Sequence, residues 1–221
     1  MHREPNLLAF MENHPLGGII QKQLLKLISD TLVRTDAHRL LSLGFLPLRH
    51  HIDDHGYLYF DQEDDYVEAG QACLAIATDS IDVCVYNIDA FSVENCTQHL
   101  DEIDRVLCLN GVVIMVGLHH LGLWRLEQLF NRRLLHDFSE TADKHHLVHT
   151  YLKTAEYHII HQRTLGYCPY SMPEGEALTQ ACKVLNTYGS IVLQHLGNFY
   201  VITATKPRRL FIHESVSAGS A

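Results

Sequence analysis

Apolar residues between positions 17 and 34 recur at helical spacing, with Ile20, Leu24, Leu27 and Ile28 on one face. Pro15 and Gly17-Gly18 mark the start of this predicted helix, and Thr35-Asp36 lie beyond its end. LLSLG (40–44) then reads as a short buried strand. RHHIDDHG (49–56) reads as a polar turn, YLYF (57–60) as a strand ending on Asp61, and DQEDD (61–65) as an acidic loop. IDVCVYNI (81–88) predicts a strand in which Ile81, Val83 and Val85 alternate with Asp82, Cys84 and Tyr86. Asn95 is the expected cap of the next helix, with Gln98 as its capping-box partner. Leu100, Ile103 and Leu107 form that helix's stripe, and Asn110-Gly111 are expected to close it. VVIMVG (112–117) is a continuous apolar run, suited to a strand covered on both faces.

The following stretch, 124–165, is polar and rich in histidine, and helices with a mobile loop are expected there. EGEALTQACKVLNTYGS (174–190) predicts a helix with Ala177, Ala181 and Leu185 on one face. SIVLQH and FYVITAT flank Leu196-Gly197-Asn198, the pattern of a C-terminal β-hairpin. Strands alternating with helices imply parallel pairing through crossover helices, an α/β doubly wound sheet.

Composition narrows the function classes. The 221 residues are 47% hydrophobic and 19% charged, enough for one large domain with a substantial core. A formal charge of −9 argues against a nucleic-acid backbone as the partner. The basic spots Arg132-Arg133 and Lys206–Arg209 are too short to offset it and read as solvated surface. Protonating all seventeen histidines would carry the charge from −9 to +8, so mild acid should alter solubility sharply. The six cysteines include no C-x-x-C pair, which fits reduced thiols in a cytoplasmic protein. LLAF (7–10) is too short for a signal sequence, and 112–124 is broken by two histidines and too short to span a bilayer.

Three segments, taken in order, resemble the class I S-adenosylmethionine-dependent methyltransferases. They are the strand ending at Gly44, the segment with Leu74-Ala75-Ile76 and Asp79-Ser80-Ile81-Asp82, and Arg105-Val106-Leu107-Cys108-Leu109-Asn110-Gly111. Pro15-Leu16-Gly17 and Gly117-Leu118-His119-His120-Leu121-Gly122-Leu123-Trp124 add a likeness to a bacterial subgroup whose glycine-rich motif is degenerate. The resemblance implies a Rossmann-like, mostly parallel seven-stranded sheet with a C-terminal antiparallel hairpin. It also implies a single domain over 1–206 with an N-terminal helix, followed by a flexible tail at 207–221.

It further implies S-adenosylmethionine as cofactor and an unidentified methyl acceptor; the oligomeric state is not specified. In the usual glycine-rich loop the acidic position here is Ser42, the first glycine is Gly44, and the next two places hold Leu46 and Leu48. Pro47 removes an amide donor besides. The implied cofactor-binding residues are Gly44 with Phe45, Asp61 for the ribose hydroxyls, and Asn87 (or Asp89) after the 81–88 strand. His119 and His120, beyond the 112–117 strand, are the candidate general bases.

Two readings follow: a methyltransferase with a degenerate cofactor loop, or a catalytically inactive binding or scaffold protein of the same fold. The histidine clusters RHHIDDH (49–55) and HHLVH (145–149), with the pair His158 and His161, raise a metal-binding reading. No H-E-x-x-H accompanies them, so surface histidines and no metal site are expected.

Overall fold

A computed structural model describes residues 10–12, 14, 16–44, 58–62, 74–123, 138–168, 180, 184–189 and 195–207. For 58–62 and 138–142 the backbone alone is considered. Helix α1 (Gly17–Thr35) buries Ile20, Leu24, Ile28 and Leu32, one residue per turn, against the sheet. It ends where Asp36 turns left-handed (φ 49°) and donates its backbone N–H to the last carbonyls.

Strands β1 (Arg39–Leu43), β2 (Leu58–Gln62), β3 (Ile81–Asn87) and β4 (Leu107–Leu118) follow, with helix α2 (Val93–Val106) between the last two. Helix α3 (Phe138–Thr154), β5 (His158–Leu165) and β6 (Phe199–Thr205) complete the described elements. The six described strands form one sheet in the order β2-β1-β3-β4-β6-β5. β1 pairs in parallel with β2 and β3, and β3 with β4, while β6 is antiparallel to both β4 and β5.

Side-chain alternation with period two divides the core into two layers. Val112, Ile114 and Val116 of β4 join α1 on one face, together with Val83 and Val85 of β3. Val113 and Met115 join Leu100 and Ile103 of α2 and Val148 and Leu152 of α3 on the other. Both faces of the sheet are therefore covered, and Cys84 and Tyr86, which alternate with the valines of β3, are fully buried as well.

Several expectations are corrected. Of the expected hairpin, 199–205 is strand β6, which pairs with β4 and β5, while 190–194 lie outside the described residues. Residues 158–165, expected as helix or loop, are that edge strand, mostly exposed and therefore without a buried-strand signature. β2 continues through Asp61 and Gln62, where a loop was expected. The N-cap of α2 is Ser92, not Asn95, and the helix stops at Val106.

Asn110 is left-handed (φ 63°), but it sits within β4, where the register slips from Ile81–Leu107 to Val83–Val112. Leu185 is exposed in the 184–189 helical turn, and Asn186 is buried instead. Lys206 is no solvated spot either: its ammonium is buried and donates to the carbonyls of Asp104 and Leu107 and to Asp79. The turn at 49–56 and the Arg132-Arg133 spot lie outside the described residues, as does all of the tail except Pro207. No helix among the described residues is long and apolar enough to cross a membrane.

Candidate functional site

The chain runs from β1 outward to β2 on one side, then returns to lay β3 on the other side of β1. A doubly wound sheet opens a crevice at such a reversal, beyond the carboxyl ends of the strands. Gly44 stands at that point, one residue past β1, with φ +73°. A Cβ there would lie 2.7 Å from the Cβ of Ala90, so the chain's own packing demands glycine as much as its left-handed backbone does.

Asn87, at the end of β3, is buried, and its Nδ2 donates to the carbonyl of Gly44 at 3.0 Å. Its Oδ1 accepts the Asp89 amide at 3.3 Å, so Asn87 braces the crest from within. Asp89 in turn accepts the Leu118 amide through Oδ2 at 2.6 Å, which ties the end of β3 to the end of β4. On the other side of β1 the register sets Asp61 opposite Ser42, bringing the two strand ends level. Phe45 lies outside the described residues, as do Leu46, Pro47, Leu48 and Trp124.

Beyond β4 the crest carries histidines. His119 is buried, its amide donates to the Asn198 carbonyl at 2.7 Å, and its Nδ1 lies 3.2 Å from the Gly197 carbonyl. A carbonyl only accepts, so Nδ1 carries the proton and Nε2 keeps a lone pair. One potential ligand atom from each of His119, His120 and His145 falls within 4.8 Å of the others. The ring centroids of His120 and His145 are 4.8 Å apart, and those of His145 and His149 are 4.7 Å apart.

His145 and His149 come from consecutive turns of α3, which places both on the helix face over the end of β4. Burial, then the neighbouring His120, lowers the His119 pKa to about 4. Burial, then His149, His120 and His119, lowers that of His145 to about 3, and His149 is lowered by burial and by His146 and His120. All three rings are therefore neutral at pH 7.

Tyr200 of β6 closes the cluster from below, its ring 4.6 Å from that of His145 and nearly perpendicular. Its hydroxyl is buried and has no hydrogen-bond partner among the described residues, and the same holds for Nε2 of His145. Each such atom costs about 1–3 kcal/mol of lost solvation if left so. Gly117 makes room for the phenol, since a Cβ there would sit 2.9 Å from the Tyr200 hydroxyl. His119 also borders a cavity of about 830 Å³ between α1 and β5, with Lys26, Asp30, Arg163 and His195 on its walls.

The sequence-predicted residues thus fall on one crest: Gly44 and Asn87 toward β1, and His119 and His120 beyond β4. Sequence reasoning missed the approach of His145 and Tyr200 to the latter pair. The available signal was the doublet His119-His120 together with the i,i+4 pair His145 and His149.

No family model matches the sequence, and no curated protein matches it. Solved structures do. A SAM-dependent methyltransferase from Archaeoglobus fulgidus is 11% identical, with a TM-score of 0.50 over 82% of this chain and 94% of that one. The [4+2]-cyclase SpnF is 16% identical, with a TM-score of 0.50 over 84% and 80%.

The chain has the class I methyltransferase fold.

In a methyltransferase fold the adenosyl group would lie over the β1–β3 reversal. Gly44 and the braced Asn87 stand at that reversal, with the end of the β2 backbone beside them. The histidines lie one strand farther along the same crest, beyond β4.

Proposed function

We propose that this chain binds S-adenosylmethionine at the carboxyl crest of β1 and β3 and transfers its methyl group to an acceptor held over β4. The observation that carries the reading is the strand reversal at β1 with left-handed Gly44 at its exit. Gly44 and Phe45 supply backbone to the methionine and ribose portions. Asp61, seventeen residues after Gly44 in sequence, accepts hydrogen bonds from the ribose hydroxyls. Asn87 is a positioning residue, holding the Gly44 carbonyl inward and so fixing how the loop leaves β1.

The cofactor supplies an activated methyl group on sulfur. The chain's part is to hold an acceptor nucleophile in line with that group and keep water away. The imidazole of His119 or His120 takes the acceptor's proton as the new methyl bond forms and the bond to sulfur breaks.

A second reading, a binding module without transfer activity, has its own support. Ala90 crowds Gly44, both arms of the Asn87 amide are spent inside the protein, and leucines stand at the next two glycine places. SpnF, whose chemistry is a [4+2] cyclisation, illustrates that this fold alone does not fix the reaction. Calorimetry with S-adenosylmethionine and S-adenosylhomocysteine tests the first reading. Binding of both, weakened in Asp61→Ala, is the expected result. No heat with either at millimolar ligand would reject it in favour of the binding module.

A further inference from the structure

We propose that His119, His120 and His145 form a binding site for a divalent metal of the zinc class, with a fourth coordination position left open. The site needs no S-adenosylmethionine and its test reads metal binding alone, but a bound metal takes the ring lone pairs, so the proton-accepting role of His119 or His120 belongs to the metal-free protein. It rests first on placement: residues 25 positions apart in sequence bring three potential ligand atoms within 4.8 Å of one another. Tetrahedral zinc–imidazole bonds of about 2.0–2.1 Å set nitrogens roughly 3.3 Å apart, so each ring must move inward by only about 1 Å.

The second observation is the state of the rings. His119 already shows the arrangement usual for a metal-bound histidine, one ring nitrogen held by a backbone carbonyl while the other keeps its lone pair. Nε2 of His145 is buried without a hydrogen-bond partner among the described residues, which a metal–nitrogen bond would resolve. The tilted imidazoles around it, with no ion between them, leave that atom unsatisfied.

Chemistry selects the metal. Imidazole nitrogen suits zinc and its neighbours in the first transition row, whereas magnesium and calcium take oxygen. Three protein ligands leave a position for water or an added oxygen or sulfur donor, the arrangement of reactive rather than purely structural zinc sites. His149, one turn along α3 from His145, packs its ring against that of His145 and helps to hold it.

Metal-free, untagged full-length protein titrated with Co²⁺ and Zn²⁺ tests the proposal. The expected result is one equivalent of Co²⁺ producing an intense visible d–d absorption, displaced by one equivalent of Zn²⁺. His145→Gln and His120→Gln should each weaken Co²⁺ binding at least tenfold, with far-UV circular dichroism unchanged. The double variant His158→Gln/His161→Gln, on the exposed strand β5, should bind as the parent does. Should His145→Gln fail to fold, His120→Gln, at a partly buried position, decides the matter alone. No stoichiometric absorption, or absorption that survives His120→Gln, would overturn the site, as would loss in the β5 control alone.

Discussion

Tyr200 presents the sharpest conflict at the scale of single residues: a hydroxyl fully buried beneath the histidines, with no partner among the described residues. Burial pushes its pKa well up, so the group is a neutral phenol throughout the physiological range. Removing an unsatisfied buried hydroxyl while keeping the ring relieves a desolvation cost. Tyr200→Phe should therefore stabilise the metal-free protein, by about 1 kcal/mol in urea unfolding with the m-value unchanged. A loss of similar size would show that the hydroxyl has a partner. Gly44 teaches the opposite caution. Its glycine is already required by a left-handed backbone and by Ala90, so the residue type alone is no argument for a ligand.

Among elements, the register of β1 against β3 depends on one carboxylate. Asp82 at the foot of β3 accepts the amides of His38 and Arg39 through Oδ2 and pairs with the Arg39 guanidinium through Oδ1 at 2.9 Å. Burial alone would raise the Asp82 pKa, but the Arg39 side chain and the two amides outweigh it and the net shift is downward. A carboxylate depressed in the folded state contributes stability that is present above its unfolded pKa of 3.8. That contribution is lost as pH falls from there through the lower folded value. Asp82→Asn should consequently be less stable than the parent at neutral pH, and the difference should shrink steadily below about pH 4. Chemical denaturation of both proteins between pH 7 and pH 2.5 measures it; a constant gap would reject the assignment.

Element boundaries were less legible than the elements. The strands 81–88 and 112–117 and the helix 17–34 were readable because burial on one or both faces leaves a period in the sequence. Asn110 misled because a left-handed asparagine serves a helix end and a strand irregularity equally well. β5 was illegible because an exposed edge strand carries no buried pattern.

For the molecule as a whole, the fold was readable and the second half of the site was not, for a common reason. The ordered segments around Gly44, Asp82 and Gly111 lie on consecutive parallel strands, so local patterns sum to a topology. The meeting of His119 and His120 with His145, and of Lys206 with the end of α2, are contacts between distant segments that composition cannot rank. Lys206 bears on where the domain ends.

Its ammonium donates to the carbonyls of Asp104 and Leu107, satisfying the C-terminal carbonyls of α2, and bonds Asp79 at 3.1 Å. Hydrogen bonds from a charged donor are worth about 1.5–3 kcal/mol, and in a domain this size each kcal/mol moves Tm by about 2–4 °C. A chain ended at Pro207 should melt cooperatively within about 2 °C of the full-length protein, whereas one ended at Thr205 should lose roughly 3–10 °C. The full-length Lys206→Met variant should reproduce most of that loss, which separates the ammonium from the cut itself. Equal losses in the two truncations would instead place stabilising contacts beyond Pro207 and extend the domain past the boundary that Lys206 marks.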